Sequence, residues 1–411
     1  MRHRSLLILT AVLTTGALTL TACGSRDDSN NSDSGDGGNT TVIIGLDAPL
    51  TGDLSALGLG IKNSADLAVK QANAKKYVEG VTFEIQALDD QAQPSSGQQN
   101  ASKFVANKKV LGTVGPLNSS VGESMQKVLA DAKLAQVSPA NTSPSLTQGQ
   151  KWNEGTKERP FASYFRTSTT DAVQGPFAAQ YLFNDAKKKK VFVIDDKKTY
   201  GAGLAGTFKA EFEKLGGKVV GTQHIDPETK DFSSVATQVK SSGADVVYYG
   251  GEYPAAAPLS KQIKKAGAKI PLVGGDGIYS GEYIKLSGAE GVGDLATSVG
   301  APIETLPSAK DFVANYEKAG YKEPFEAYGG YSYDAAWSII EAVKAVVEAN
   351  DGKLPSDARA KVAEAVGKVD FEGVTGKVSF DEFGDTTNKQ LTVYEYKDGA
   401  WAAVKSGELT S

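Results

Sequence analysis

Apolar positions change their period along the chain, and each change marks an element. From Thr41 the segment TVIIGLDAPL is a short apolar run that predicts a buried strand, and GIKNSADLAVKQANAK then spaces its apolar residues as one face of a helix. The alternation continues with VTFEIQALDD as strand, SSGQQNASKFVANKK as helix, VLGTVGPLNSS as strand and turn, VGESMQKVLADAK as helix, and LAQVSPANTS as strand and loop. A second series follows, with KKVFVIDD, GGKVVGTQHID, ADVVYYGG and IPLVGGDG as strands and helical runs beginning near Gly201, Asp231 and Ala255. Two right-handed βαβ series predict an α/β protein of two doubly wound lobes, each a mostly parallel sheet flanked by helices. The tail GKVSFDEFGDTTNKQLTVYEYKDGAWAAV alternates at period two around the turns DEFGD and KDGA, which predicts antiparallel strands.

The N-terminus follows neither period. Arg2 and Arg4 precede a short apolar run with a small-residue end, the pattern of a cleaved secretory signal over residues 1–22. The end of that run, Leu20-Thr21-Ala22-Cys23, resembles the lipobox of bacterial lipoproteins, which implies a mature chain beginning at a lipid-anchored (palmitate-bearing) Cys23; an ordinary secretory signal with an incidental cysteine is the alternative. Residues 23–40 are small, polar or acidic and cannot bury enough apolar area to offset ordering, so they predict a disordered tether.

Loss of the signal removes Arg2 and Arg4 and no acid, leaving 42 basic against 49 acidic residues and a net charge of −7. An acidic chain whose one basic run, Lys187–Lys190, reads as a helix end argues against a nucleic-acid partner. Cys23 is the only cysteine, so no internal disulfide, thiolate metal cluster or thiol nucleophile is expected. His224 is the only histidine left in the mature chain, which disfavours both a familiar zinc site and a Ser-His-Asp triad. No metal or cofactor is expected.

Two features keep an enzyme reading open. Gly201, Gly203 and Gly206 in TYGAGLAGTF spell G-x-G-x-x-G between a strand-like and a helix-like run, with Asp226 further on in the place of a ribose-binding acid. A dinucleotide fingerprint, however, sets its first glycine tight against the strand, whereas DDKKTY intervenes here. Asp89 with Asp90, and Asp195 with Asp196, are carboxylate pairs, but both follow strands, where adjacent acids diverge and commonly cap the next helix.

In doubly wound sheets the ligand lies beyond the carboxyl ends of the strands, so the segments after each strand carry the candidate site. The order PLTG, DDQAQP, GPLNSS, SPANTSPSLT, FRTSTTDAVQGP, DDKKTYGAGLA, DFSSVATQVK, ADVVYYGGEYP and GGDG, from Thr41 to the C-terminus, resembles the leucine/isoleucine/valine-binding proteins of bacterial ABC importers. The resemblance implies a type I periplasmic-binding-protein fold, two α/β lobes joined by three crossover segments and closing on one amino acid. Residues 41–170 and 300–388 would form lobe one, and 171–299 with 389–411 lobe two. It further implies a monomeric, extracytoplasmic receptor on the bacterial membrane that delivers a branched-chain or similar apolar amino acid to an ABC permease, and no enzymatic activity. A sensor of the same fold for an amide, urea or an aromatic acid is the alternative.

A zwitterionic amino acid needs donors for its carboxylate, acceptors for its ammonium and a shaped space for its side chain. Ser119 and Ser120 stand at the turn into a helix, where hydroxyls and free N–H groups meet the positive dipole end; the same serines also suit an N-cap. By resemblance, Thr142 contacts the ligand, the Ala140 carbonyl accepts from the ammonium, Tyr200 covers the ligand and Asp276 takes the place of the family's acidic residue, commonly glutamate. An Asp between glycines is equally an ordinary turn residue. Tyr333 matches a further aromatic of the cleft. Leu57 and Glu252, the latter followed by Tyr253, depart from the tyrosines of the best-known relatives, and Asn118 stands where some relatives carry a cysteine. Glu252 at the lip of the pocket would meet a polar ligand or a neighbouring lysine.

Overall fold

The computed structural model describes residues 39–410. The predicted signal, Cys23 and nearly all of the tether lie outside them. Strands β1 (Thr40–Ala48), β2 (Val81–Asp89), β3 (Val110–Val114), β4 (Ala135–Ser138) and β5 (Tyr164–Arg166) form one sheet in the order β2-β1-β3-β4-β5. Every pairing in it is parallel, with β1 and β2 in continuous register from Thr40 opposite Val81 to Ala48 opposite Asp89. β3 and β4 are buried at every position, as a parallel strand covered on both faces must be. The covering helices are α1 (Ser55–Ala74), α2 (Pro94–Ala106) and α3 (Ser119–Asp131); a short α4 (Ser145–Gln148) follows β4.

After β5 the chain crosses to a second sheet. Helices α5 (Asp171–Gln180), α6 (Thr199–Lys214), α7 (Ser233–Ser242), α8 (Tyr253–Lys265) and α9 (Gly281–Ser287) surround strands β6 (Lys190–Asp195), β7 (Lys218–His224), β8 (Val246–Gly250), β9 (Leu272–Gly274) and β10 (Leu295–Val299). Its centre is aromatic: Phe208 on α6 stacks on Tyr248 of β8 at 3.6 Å and on Phe212 at 5.4 Å. The chain then returns through α10 (Lys310–Ala319), α11 (Gly329–Glu348) and α12 (Ala358–Val366), of which α11 packs on α1, β3 and β4. Helix α11 shows why periodicity understates it, since it is buried almost all round and opens on Gly329-Gly330, which reads as a turn.

The tail forms antiparallel strands, as its period predicts, in two separate places. β11 (Asp370–Gly373) and β12 (Gly376–Ser379) make a separate hairpin, whereas β13 (Leu391–Lys397) and β14 (Ala400–Gly407) extend the second sheet antiparallel to β10, giving β14-β13-β10-β9-β8-β6-β7.

Strand order places the site. In the first sheet consecutive strands lie on opposite sides of β1, so the connections leaving β1 and β3 diverge and open a crevice. In the second sheet the same reversal falls between β6 and β8. The two crevices face each other: Asn118, ahead of α3, bonds Glu252, ahead of α8, and Thr199 of α6 bonds Glu123 of α3.

Candidate functional site

Leu57, Leu117, Asn118, Ser119, Ala140, Tyr200, Glu252, Gly277 and Tyr328 line one cavity between the halves. Free space among them is small, about 10 Å³, so an amino acid enters only when the halves move apart. Ser119 is the first residue of α3 and is buried; its Oγ accepts from the Ser143 N–H at 3.4 Å. The residue at the N-cap position is Asn118, not a serine, and its side chain does not cap. The N–H groups of Val121 and Gly122 bond the Asn118 carbonyl, which leaves those of Ser119 and Ser120 at the positive dipole end without an intrahelical acceptor. Ser120 is half-buried and is not among the residues lining the cavity.

Asp276, next to the lining residue Gly277, is fully buried in the short helical turn after β9 and is not itself in the cavity wall. Its Oδ1 accepts from Tyr200 Oη at 2.8 Å and Gln174 Nε2 at 3.0 Å, and its Oδ2 accepts from Tyr328 Oη at 2.9 Å. Burial pushes the Asp276 carboxyl above its ordinary range, against these three donors. Burial, with the Asp276 charge next, pushes both phenols well up, so Tyr200 and Tyr328 stay protonated and donate. Asp171, also fully buried, lies close by; burial and then the Asp276 charge raise its carboxyl, and its Oδ2 has no donor. Thr142 is buried too, its Oγ1 without a partner and its carbonyl accepting from the Asp171 N–H at 2.9 Å. The loop holding Ala140 and Thr142 is pinned from behind by buried Arg166, which donates to the carbonyls of Asn141 (2.9 Å) and Ser143 (2.7 Å) and pairs with Asp385 at 2.6 Å.

Glu252 meets a lysine: Lys198 Nζ is 3.5 Å from its Oε2, while Asn118 Nδ2 donates to its Oε1 at 2.5 Å. Tyr253, the first residue of α8, reaches across the halves and donates to the Asp53 carbonyl. Tyr333 is not in the cleft. Its hydroxyl bonds Gln71 and its ring packs on Phe312 at 5.2 Å, while Tyr328, five residues earlier and just ahead of α11, supplies the cleft aromatic. Beyond Tyr328, sequence reasoning also passed over Leu117, Gly277, Asp171 and Gln174. The last two stand in TTDAVQGP, and a polar Asp and Gln on an otherwise apolar helix start were the available signal.

The glycine motif lies inside α6, which starts at Thr199, rather than in the turn before it. A Cβ on Gly201 would meet Asp196 Oδ1 at 2.2 Å and the Gly250 carbonyl at 2.5 Å, whereas one on Gly206 would meet nothing within 4 Å. Gly201 thus lets α6 approach β8, and the motif makes no phosphate cradle. The carboxylate pairs close turns rather than cap helices: Asp195 and Asp196 accept from the N–H groups of Lys197 and Lys198 at 2.9 and 3.0 Å, and the N-cap positions fall to Gln93 and Lys198. His224 bonds Asp195 at 2.8 Å. A roomier cavity of about 290 Å³ lies nearby under Tyr279, Tyr331, Tyr394 and Trp401, but Ser119 and Tyr200 are not among its walls.

The chain belongs to the periplasmic binding protein family, whose pattern matches residues 41–400. This is a family of extracytoplasmic solute-binding proteins, and the chain has its type I fold and ligand-binding receptor function. It is 33% identical over 359 residues to Leu/Ile/Val-binding protein homolog 1 of Brucella suis, covering 87% of this chain and 91% of that one. Among solved structures, the leucine binding protein LivK of Thermotoga maritima is 27% identical with a TM-score of 0.78, covering 89% of this chain and 98% of its own. The LivJ protein of Streptococcus pneumoniae, in complex with isoleucine, shares the fold at 24% identity and a TM-score of 0.78, over 90% and 100% of the two chains.

Proposed function

We propose that this protein is a monomeric, lipid-anchored receptor, held at the bacterial membrane through Cys23, that closes two lobes on an amino acid and delivers it to an ABC permease. One observation carries the amino-acid ligand: Ser119, at the N-terminus of α3, lines the same enclosed cavity as Tyr200 and Tyr328, whose hydroxyls are bonded to the buried carboxylate of Asp276. The helix N-terminus seats a carboxylate and Asp276 an ammonium. Ser119, Ala140, Thr142, Tyr200 and Asp276 hold the backbone of the ligand, and Leu57 and Tyr328 border its side chain. Tyr253 latches the lobes, and neither Ser120 nor Tyr333 is assigned a contact. The likeness to a Leu/Ile/Val-binding protein homolog and to a leucine binding protein supports a branched-chain or similar ligand. The lobes comprise residues 41–170 with 300–388, and 171–299 with 389–411, a division supported by the membership of the two sheets.

Calorimetric titration of ligand-stripped protein with leucine, isoleucine and valine tests the reading. Binding at micromolar or tighter, about −8 kcal/mol or better, is expected. Absence of binding to these and to every other amino acid, with binding of an amide, urea or an aromatic acid instead, would replace it with the second reading, which the polar Glu252 motivates.

A further inference from the structure

The cavity contains two polar side chains that a purely aliphatic ligand leaves unused. Asn118, 5% exposed, comes from the first half, and Glu252, 9% exposed, from the second. Since a carboxylate only accepts, the 2.5 Å contact to Glu252 Oε1 fixes the Asn118 amide with Nδ2 toward the acid. Asn118 Oδ1 is then a buried acceptor with no donor. Resting on the amino-acid reading above, we propose that the site selects an amino acid whose side chain carries a neutral hydrogen-bond donor, a hydroxyl or a carboxamide, received by Asn118 and Glu252.

The choice of a neutral donor follows from charge. Glu252 already has Lys198 at 3.5 Å, and the Glu252 charge is the first cause that raises the lysine's pKa, so the acid is matched before any ligand arrives. A second cation on the ligand would have to compete with Lys198 for Glu252. The choice of a donor follows from burial. Entry of a ligand parts the halves, because little free volume exists between them, and that separation loosens the Asn118 to Glu252 contact. Asn118 Oδ1 and Glu252 Oε1 then both require donors, and a leucine or valine side chain would shut them away from water with none. A hydroxyl or carboxamide supplies them and ties the two halves through the ligand. Three apolar wall residues, Leu57, Leu117 and Ala140, give such a side chain its apolar flank.

A site built to bond a polar group discriminates strongly against the isostere that lacks it, whereas an apolar pocket discriminates weakly the other way. Two near-isosteric pairs therefore form the test: threonine against valine, and asparagine against leucine, titrated calorimetrically into full-length, ligand-stripped protein with isoleucine as a control. The expected result is binding of the polar member at least about 10-fold tighter in one or both pairs. The Asn118→Leu variant should erase that ratio, and Glu252→Gln, which keeps an acceptor without the charge, should retain it. Equal or tighter binding of valine and leucine by the unmodified protein overturns the proposal while leaving the amino-acid reading in place. Failure of all five amino acids to bind overturns the proposal, and failure of every other amino acid as well overturns the amino-acid reading with it.

Discussion

Asp276 works against its surroundings. Complete burial favours its neutral form, and the hydrogen bonds from Tyr200, Gln174 and Tyr328 only partly offset that. Asp171 shares the difficulty, with burial first and the Asp276 charge second raising its carboxyl. Both folded pKa values lie above the ordinary 3.8, so the stability these groups contribute is complete below that value and is lost as pH rises through the raised ones. An ammonium ligand reverses the preference, because it favours the carboxylate. Binding should therefore release a proton near the raised pKa, and affinity should fall as pH drops through it. The ligand-induced rise in melting temperature, followed from about pH 8 to about pH 4, is expected to shrink steadily. Replacing Asp276 by Asn removes the charge while keeping the shape. Loss of one charge-assisted contact of about 1.5–3 kcal/mol would weaken binding by roughly 10- to 150-fold in calorimetry.

Helix α6 separates what its glycines do from what their spacing suggests. Gly201 packs against Asp196 and the Gly250 carbonyl, so Gly201→Ala should destabilise the protein by about 1–3 kcal/mol and disturb the neighbouring Tyr200. Gly206 is exposed, with open space around it, so Gly206→Ala should stabilise by about 0.5–1 kcal/mol and leave ligand affinity unchanged. Urea unfolding of both variants decides the matter, and a phosphate-gripping motif would require the opposite at Gly206. The elements most legible in the sequence were those with a clean period. Strands such as β1 and β6, and helices such as α3 and α6, sit within a few residues of where periodicity puts them. Less legible were β5 and β10, which are short and carry polar Arg166, Thr297 and Ser298, and α11, whose burial on nearly all sides removes the amphipathic contrast. The tail showed its strands but not their partners, since period two reports a strand's faces and not its neighbour.

Contacts across the mouth of the cleft govern how the whole molecule opens. Tyr253 donates to the Asp53 carbonyl, Thr199 to Glu123 at 3.2 Å, and Lys230 stands 3.7 Å from Asp53. These are made between the halves, so they act on the closed form. Tyr253→Phe removes one neutral hydrogen bond of about 0.5–1.5 kcal/mol; ligand release measured by stopped flow should accelerate roughly 2- to 10-fold, with less change in the rate of entry.

The sequence by itself determined the local currency of this protein: two runs of alternating strands and helices, an acidic chain with almost no cysteine or histidine chemistry, and polar segments after each strand. Its family resemblance singled out Ser119, Ala140, Tyr200 and Leu57, and these line the cavity. Only the tertiary structure decided that Asn118 meets Glu252, 134 residues away, and that Asp276 is held by Gln174, 102 residues away. It also decided between Tyr328 and Tyr333. The physical reason is the same in each case: hydrophobic periodicity encodes which face of an element is buried, while strand order and helix rotation determine what that face meets. Tyr328 precedes the first turn of α11 and points its hydroxyl to Asp276; Tyr333, inside that helix, turns toward Gln71 and the Phe312 cluster.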